Sequence, residues 1–511
     1  MNVTITPTKL HGTIAAVPAK SDLHRALICA AFADGPTTVR QPSPAPLSQD
    51  IEATVECLAA LGAAITFTCE PAGTVLSDSE PTRTEPTGTV LPDPDARVAE
   101  LTITPIRKVP DNVTLRCGES GSTARFMLPI AAAVCKNACF EGSGRLPERP
   151  MSPLTDELAR HGCRCSSSHL PINLTGYKKA DSDSMAPADA GAADSDNMPS
   201  ADTREVDSDN VSTAAAKEAL PSSVPEFTLP GSISSQFITG LLLAAPLMGG
   251  VRIHLTTALA SASYVDMTID TMQRFGVHVR KTEDGFAVDP SAYRTPGIYM
   301  TDGGWSSAAF FIAANILSSE NTEADAFSKE TSEPGHTVSM HTASEHTVSV
   351  ANLRKESLQG DRVIAEIAAR FRDRRQKYFS AAWELTIDAD NIPDLVPIIA
   401  VMAALTPGRT RIINASRLRL KESDRLRTTA EMLTTLGADV TELDDGLLIS
   451  GKEALQGGTV SGYNDHRIVM SAAIASIGCT SDVTILGAEA VAKSYPGFWD
   501  DFTALGGRIR M

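Results

Sequence analysis

The stretch RLRTTAEMLTTLGADVTEL, residues 425–443, combines the two local patterns that decide the fold class. Apolar residues recur at helical spacing up to Leu436, and Gly437 then lets the chain leave a helix C-terminus through the left-handed region. The alternation of polar and apolar residues after Gly437 is typical of a strand. The stretch therefore predicts a helix that is followed directly by a strand.

The same junction recurs along the chain. Further copies stand at Leu61-Gly62, His161-Gly162, Phe275-Gly276 and Leu505-Gly506, and Phe371-Arg372-Asp373 is a degraded sixth copy. The distance from Arg372 to Gly437 is 65 residues, and that from Gly437 to Gly506 is 69 residues. We infer six copies of one unit, with added segments in the earlier intervals. Such self-similarity predicts an α/β (α+β) fold of two pseudo-symmetric lobes with three units each.

Three segments interrupt this pattern, residues 70–98, 178–225 and 319–347. They are rich in small and polar residues and lack apolar periodicity, so we interpret them as mobile surface insertions. His336, His341 and His346 recur every five residues in the third segment. A metal site normally needs a rigid scaffold, so we interpret these histidines as part of the insertion and expect no metal.

The formal net charge of −17 argues against a nucleic-acid or anionic membrane partner. Residues 180–220 alone hold ten acidic against two basic side chains, so the rest of the chain can still form a positive pocket. No apolar stretch reaches the length of about 20 residues that spans a membrane. The nine cysteines show no zinc-site spacing, which indicates reduced thiols and a cytoplasmic protein. We expect a monomer.

Seven short segments place polar or basic residues where apolar helices should begin. A helix N-terminus offers free N–H groups and the positive end of the helix dipole, which suit an anion. Each segment alone is also compatible with a plain helix cap or a solvated charged face. Together they predict an electropositive cleft on which helix N-termini converge. The segments are residues 18–25, 117–126, 146–151, 231–237, 418–426, 463–467 and 492–496.

Two of these segments give more detailed expectations. Lys421 and Arg425 stand four residues apart, so we expect them to share one helix face. Ser234 is the expected cap of the next apolar helix, and this leaves Gln236 on an apolar face, which is unfavourable unless its amide is hydrogen-bonded.

Taken in order, these segments resemble the 5-enolpyruvylshikimate-3-phosphate synthase family from the first strand to Lys493 and beyond. The resemblance implies two lobes, each of three βαβαββ units, whose helix N-termini face an interdomain cleft. It also places residues 1–18 with 300–511 in one lobe and residues 19–299 in the other. Ala19, Glu119 and Gly304 depart from the residues that are common in the family at these positions.

The resemblance implies two groups of binding residues for two small anionic substrates, and no cofactor. The expected phosphoenolpyruvate side, at which glyphosate competes in this family, comprises Lys20, Gly121, Arg125, Arg149, Gln236, Arg425, Arg467 and Lys493. The expected shikimate 3-phosphate side comprises Lys20, Ser21, Arg25, Ser234, Ser235, Gln236, Ser261, Tyr264, Asp394 and Lys421.

The implied reaction is the transfer of an enolpyruvyl group to the 5-hydroxyl of shikimate 3-phosphate, in the shikimate pathway to aromatic amino acids. It needs a base for the hydroxyl and an acid for the methylene carbon, with the roles reversed in the second step. Asp394 is our candidate at the hydroxyl. Lys20 and Glu422 are the candidates at the enolpyruvyl carbon and the leaving phosphate, with His466 nearby. Arginines suit the carboxylate and phosphates because their planar fork binds both.

Two alternatives stay open. A related enolpyruvyl transferase acts on UDP-N-acetylglucosamine and carries a cysteine five residues before an Arg-Pro, where this chain has Gly144 before Arg149. A non-catalytic binding protein is the second alternative, with the acidic segment 180–222 as its docking element. The presence of Lys20, Asp394 and Glu422 argues against it.

Overall fold

The computed structural model describes residues 1–70, 91–92, 96–176, 224–318, 347–376 and 384–511. The predicted insertions and their three histidines fall almost entirely outside these residues. The first insertion was predicted too long at both ends, because Glu70 ends one strand and Arg97 begins the strand that pairs with it. Both ends are held by backbone hydrogen bonds that polarity alone did not indicate.

The described residues form 22 strands and twelve α-helices. The strands are β1 Asn2–Thr6, β2 Gly12–Ala15, β3 Thr37–Ala45, β4 Ala64–Glu70, β5 Arg97–Thr104, β6 Asn112–Arg116, β7 Asn137–Glu141, β8 Arg164–Cys165, β9 Ile172–Thr175, β10 Glu226–Leu229, β11 Val251–Leu255, β12 Val279–Lys281, β13 Gly285–Val288, β14 Ile298–Met300, β15 Val348–Ala351, β16 Glu384–Asp388, β17 Gly408–Ile413, β18 Asp439–Leu443, β19 Gly446–Gly451, β20 Gly458–Ser461, β21 Val483–Leu486 and β22 Arg508–Arg510. The helices are α1 Lys20–Ala31, α2 Gln49–Ala60, α3 Gly121–Val134, α4 Leu154–Arg160, α5 Ser235–Met248, α6 Ala262–Arg274, α7 Trp305–Ser318, α8 Ile364–Gln376, α9 Val396–Ala404, α10 Arg425–Thr435, α11 His466–Ala475 and α12 Phe498–Ala504.

The strands form six small sheets, and three of these arise from continuous βαβαββ stretches. The orders β6-β7-β9-β8, β10-β11-β13-β12 and β16-β17-β19-β18 are the same, with a parallel first pair and antiparallel later pairs. Two further four-stranded sheets take a strand from a distant part of the chain: β14 pairs with the edge of β3-β5-β4, and β1 lies between β21 and β22 in the order β20-β21-β1-β22. The sixth is the pair β15-β2. Six sheets agree with the six units that the recurring junction predicted.

Five of the six predicted junctions have the expected conformation. Each glycine follows a helix at positive φ and leads into a strand, as at Gly62 (109°), Gly162 (88°), Gly276 (77°), Gly437 (92°) and Gly506 (90°). The sixth prediction was wrong, because Phe371, Arg372 and Asp373 lie inside α8. This segment lacks the glycine that follows the helix at the other five junctions.

The buried apolar side chains form two cores. One runs from Val3 to Ala16 and continues from Trp305 to Leu505. The other runs from Leu23 to Tyr299. The chain therefore crosses between the cores twice, and the predicted lobe boundaries at 18 and 300 agree with these crossings while remaining a prediction.

The two crossing segments are bonded to each other. Ala19 N donates to Asp302 O at 2.8 Å, and Gly304 N donates to Val17 O at 2.8 Å. All nine cysteines are free thiols, as expected. Within the described residues, no helix is both long and apolar enough to cross a membrane.

Candidate active site

One cavity is surrounded by the beginnings of helices from both cores. Residues at or just before the first turns of α1, α3, α5, α6, α7, α10 and α11 line it, as does the 3₁₀ turn Pro393–Leu395 that leads into α9. All the predicted site residues line this cavity except Lys493. The helix dipoles add positive potential at the same place.

The charged side chains of the lining are mostly basic. Asp50, Asp394 and Glu422 are the three carboxylates among the lining residues. Eight basic residues face them: Lys20, Arg25, Arg125, Arg149, Arg417, Lys421, Arg425 and Arg467. The prediction of an electropositive cavity inside an acidic protein is therefore confirmed for the described residues.

Asp394 is the meeting point of the basic side chains. Its Oδ1 lies 2.9 Å from Arg425 Nη1 and 3.6 Å from Lys421 Nζ. Its Oδ2 lies 3.5 Å from Arg467 Nη2 and accepts from the Tyr264 hydroxyl at 3.5 Å. Burial raises the pKa of Asp394, but Lys421, Arg467 and Arg425 outweigh it and hold this pKa well below its usual range. The carboxylate is therefore ionised.

Arg425 is almost fully buried, with 1% of its surface exposed, and is surrounded by carboxylates. Its Nε donates to Asp465 Oδ2 at 2.8 Å, and its Nη2 donates to Glu422 Oε2 at 2.5 Å. Lys421 precedes α10, so it does not share a helix face with Arg425 as predicted. Lys421 and Arg425 both approach Asp394 because the 3₁₀ helix Ser416–Leu420, which is wound more tightly than an α-helix, precedes α10.

Glu422 and His466 are both held in one charge state. Burial raises the pKa of Glu422, but Arg425 and Arg149 hold it well below its usual range. Burial, Arg467 and Lys20 lower the pKa of His466 well below its usual range. Glu422 is therefore an anion and His466 a neutral imidazole, so neither carries a proton that it readily donates.

The polar residues at the start of α5 make the hydrogen bonds that the sequence predicts. The Ser234 hydroxyl caps the helix by accepting from Gln236 N at 3.3 Å. The Gln236 amide accepts from Arg125 Nη1 at 2.6 Å and donates to Ser122 Oγ at 2.9 Å. These bonds remove the cost of a polar residue on an apolar face and orient Arg125 toward the cavity.

Three buried arginines keep unused donors. Among the described residues, none accepts a hydrogen bond from Nε of Arg125, Arg149 or Arg467. The protein encloses these Nε atoms, whereas other atoms of the three arginines line the cavity. Guanidinium groups in such a lining can bind an anion. This is the arrangement expected of a site for carboxylate and phosphate groups.

Lys20, Ser21 and Arg25 lie together on the first turns of α1. Lys20 forms an ion pair with Asp50 at the start of α2. Arg25 donates from Nε to Thr268 Oγ1 and from Nη2 to Tyr264 O, both at 2.8 Å, and from Nη1 to Ser21 O. The guanidinium of Arg25 therefore fixes α1 against α6 as well as facing the cavity.

Comparison with known proteins identifies the family of this chain. The family model for EPSP synthase (3-phosphoshikimate 1-carboxyvinyltransferase) matches residues 5–92, 95–180 and 205–502. Two curated proteins named 3-phosphoshikimate 1-carboxyvinyltransferase, from Clostridium novyi and Clostridium acetobutylicum, are each 35% identical. Both alignments cover 99% of this chain and 98% of the relative. The chain belongs to the EPSP synthase family.

Solved structures share the fold of this EPSP synthase family member. EPSP synthase from Acinetobacter baumannii, at 19% identity, superposes with a TM-score of 0.64 over 100% of both chains. The enolpyruvyl transferase NikO from Streptomyces tendae, at 13% identity, gives 0.61 over 100% of this chain and 98% of its own. At these identities the likeness extends to the fold alone.

Lys493 is the one predicted site residue that does not line the cavity. It ends a 3₁₀ helix, Ala488–Lys493, and does not begin an apolar helix as predicted. Its Nζ is bound by Glu119 Oε2 at 2.7 Å and by Asn464 O at 2.6 Å. The sequence does not show this pairing, because Glu119 and Lys493 are 374 residues apart in the chain.

Sequence reasoning also missed Asp50 and Arg417. Asp50 stands in the first turn of α2, so the rule that drew attention to other helix starts applied to it as well. Arg417 belongs to the basic run of residues 417–425, but the run alone does not show which side chains face inward. In a 3₁₀ helix residues three apart are aligned, so Arg417 and Leu420 line the cavity while Arg419 does not.

Proposed function

We propose that this chain is a 3-phosphoshikimate 1-carboxyvinyltransferase. It transfers the enolpyruvyl group of phosphoenolpyruvate to the 5-hydroxyl of shikimate 3-phosphate and releases phosphate. The observation that carries the proposal is the ionised carboxylate of Asp394, held among Lys421, Arg425 and Arg467 inside a cavity lined by arginines.

The donor fits the part of the cavity with Arg125, Arg149 and Arg467. Their guanidinium groups match the carboxylate and phosphate of phosphoenolpyruvate, and Arg425 adds a fourth guanidinium. The acceptor fits the part around Ser234, Ser261 and Tyr264, next to Asp394.

In the first step, Asp394 accepts the proton of the 5-hydroxyl. The hydroxyl oxygen of the acceptor attacks C2 of phosphoenolpyruvate. C3 gains a proton from Lys20 or Glu422, and a tetrahedral intermediate results. In the second step, C3 loses this proton and the C2–O bond to phosphate breaks. The cations stabilise the charge that develops on the phosphate.

The charge state of Glu422 fits this sequence of events. Arg425 and Arg149 keep its pKa low. A bound donor brings negative charges to the same arginines, which weakens their effect on Glu422 and raises its pKa. Glu422 then becomes able to hold the proton that C3 gains and loses.

Both alternatives have less support. Residues 141–150 contain no cysteine, so the acid expected of a UDP-N-acetylglucosamine enolpyruvyl transferase is missing beside Arg149. A purely binding protein would not need Lys20, Asp394 and Glu422 around one cavity. We further propose a cytoplasmic monomer without nucleic-acid or membrane partners, in line with the acidic composition and free thiols.

The decisive experiment measures phosphate release from phosphoenolpyruvate with shikimate 3-phosphate or with UDP-N-acetylglucosamine. Release is expected only with shikimate 3-phosphate. Lys20→Ala should lower kcat by at least about 100-fold, as for loss of a general acid or base. Lys108→Ala, which removes an exposed lysine, serves as the control. Phosphate release with UDP-N-acetylglucosamine alone would show that the acceptor is the sugar nucleotide. Release with neither acceptor would favour the hypothesis of a non-catalytic binding protein.

A further inference from the structure

Asp22 is a buried carboxylate outside the lining of the substrate cavity. It stands in the first turn of α1, directly after Lys20 and Ser21, and is 7% exposed. Lys20 and Ser21 line the cavity, whereas Asp22 does not. The reaction as proposed therefore gives Asp22 no contact with a substrate, although a buried carboxylate is costly unless it has specific partners.

The partners of Asp22 lie on the second segment that crosses between the cores, residues 299–305. Its Oδ1 accepts from the Tyr299 hydroxyl at 2.6 Å, and its Oδ2 accepts from Asp302 N at 2.9 Å. Asp302 O in turn accepts from Ala19 N at 2.8 Å. Three hydrogen bonds thus join the beginning of α1 to this crossing segment.

These bonds take the place of an ordinary helix cap. Ala19 is the N-cap residue of α1 and makes no side-chain cap bond. In a capping box, a side chain at the position of Asp22 would bond the N–H of the N-cap residue. Here Asp302 O takes that N–H, and the carboxylate of Asp22 bonds Asp302 N instead. The first turn of α1 is therefore oriented by a residue that lies 280 positions from Asp22 in the chain.

The crossing segment is also bonded to the opposite wall of the cavity. The Ser357 hydroxyl donates to Asp302 Oδ2 at 2.9 Å and accepts from Gln359 Nε2 at 3.0 Å. Gln359 lines the cavity and accepts from Trp305 N at 3.0 Å, at the start of α7. A continuous set of hydrogen bonds thus runs from the turn that carries Lys20 to a wall on the other core.

We propose that Asp22 is a positioning residue, which holds Lys20 and Ser21 in place at the cavity through its bonds to the crossing segment. The inference rests on the proposed function, in which Lys20 is a candidate for the proton transfer at C3 of the donor. A displacement of about 1 Å can lower the rate of a catalysed step by about 100-fold. Loosening the first turn of α1 should therefore lower kcat, whereas a purely structural Asp22 would affect stability alone.

Two buried tyrosines of the same core give a matched test. Tyr299→Phe removes the hydroxyl that donates to Asp22, and Tyr293→Phe removes one that donates to Leu243 O at 2.9 Å. Each variant loses a buried hydrogen bond, so both should be less stable in urea unfolding. Only Tyr299→Phe should lower kcat with phosphoenolpyruvate and shikimate 3-phosphate, by about 3- to 10-fold. Equal kcat values for the two variants would overturn the proposal.

Variants of Asp22 separate the effect of its bonds from that of its charge. Asp22→Ala removes both bonds and should lower kcat by about 10- to 100-fold. In Asp22→Asn, the amide oxygen can accept from Asp302 N, and the NH2 group can donate to the Tyr299 hydroxyl. That hydroxyl lies 3.3 Å from Thr271 Oγ1 and can donate there. Asp22→Asn should therefore keep most of the wild-type kcat. A kcat as low as that of Asp22→Ala would show that the charge matters and not the bonds, against the proposal.

Calorimetric binding of shikimate 3-phosphate separates this inference from the proposed function. A wild-type chain that binds this acceptor without turnover would contradict the proposed activity. The role of Asp22 would still be decided, because Ser21 lies on the same turn of α1 and is expected to bind the acceptor. Tyr299→Phe should then bind shikimate 3-phosphate about 3-fold more weakly than Tyr293→Phe. Equal affinities would show that the bonds of Asp22 do not position this turn.

Discussion

At the scale of single residues, burial decides which carboxyl groups of the site are ionised. Asp361 lies behind the cavity and is 4% exposed. Burial and the negative charge of Asp394 raise the pKa of Asp361 to about 6, although the positive charge of Arg467 opposes this. Asp394, in contact with three cations, keeps its charge at much lower pH.

This difference predicts a pH-dependent gain in stability for Asp361→Asn. Because the folded-state pKa of Asp361 lies above the unfolded value near 4, folding favours its protonated form. Its contribution to the free energy of unfolding is therefore lost as pH rises from about 4 to 6 and stays lost above that range. We expect the stability of Asp361→Asn relative to wild type to rise by up to about 3 kcal/mol over this range.

Urea unfolding at pH 4 and pH 7.5 measures this difference. Asp439→Asn changes an exposed carboxylate on β18 and should show no such rise. The same stability difference for Asp361→Asn at both pH values would show that Asp361 ionises normally.

At the scale of helices and strands, much could be predicted from the sequence where a local signal has one structural meaning. The glycines at the five helix–strand junctions have positive φ because that region favours glycine over other residues. The convergence of helix N-termini followed from polar residues at helix starts. The end of α8, the inward side of the run 417–421 and the pairing of Lys493 could not be predicted in this way. The pairing of Lys493 depends on Glu119, which is 374 residues away in the chain.

The repeated unit also predicts where glycine is needed for space. Gly446 begins β19, and a Cβ there would lie 1.9 Å from Ile412 O on the paired strand β17. Gly285 begins β13 in the same way, 1.9 Å from Ile253 O on β11. Both follow an aspartate, so the two units share one tight connection between their last strands.

Gly446→Ala should therefore lower the free energy of unfolding by about 1–3 kcal/mol, the usual cost of forcing an atom into a packed position. Urea denaturation measures the change. Gly497→Ala is the control, because its Cβ would meet only Pro46 Cδ at 3.9 Å and its φ of −78° suits alanine. Equal stability of the two variants would show that β17 and β19 can separate locally at little cost.

At the scale of the whole molecule, the two cores meet around the substrate cavity. Glu119 stands before α3 on one core, whereas Asn464 and Lys493 belong to segments of the other. Asn464 Nδ2 lies 3.1 Å from both carboxylate oxygens of Glu119, and Lys493 Nζ lies 2.7 Å from Oε2. Gly144 makes room for this carboxylate, since a Cβ there would lie 2.2 Å from Oε2.

This contact ties the cores together through a lysine that is expected to bind the donor. The carboxylate of Glu119 competes with the phosphate of phosphoenolpyruvate for the ammonium group of Lys493. Glu119→Gln keeps the shape and hydrogen-bonding oxygen but removes the charge. We therefore expect it to lower the KM for phosphoenolpyruvate by about 5-fold, the effect of a partly exposed ion pair. The KM for shikimate 3-phosphate should not change.

Steady-state kinetics of Glu119→Gln, Lys493→Met and the double variant test this competition. Glu148→Gln is the control, because it removes an exposed carboxylate from the loop that follows β7. If Glu119 acts through Lys493, Glu119→Gln has no effect on the KM for the donor once Lys493 is replaced. A rise in this KM in the single variant would instead show that Glu119 positions Lys493 for the donor. The ion pair between the cores would then assist donor binding.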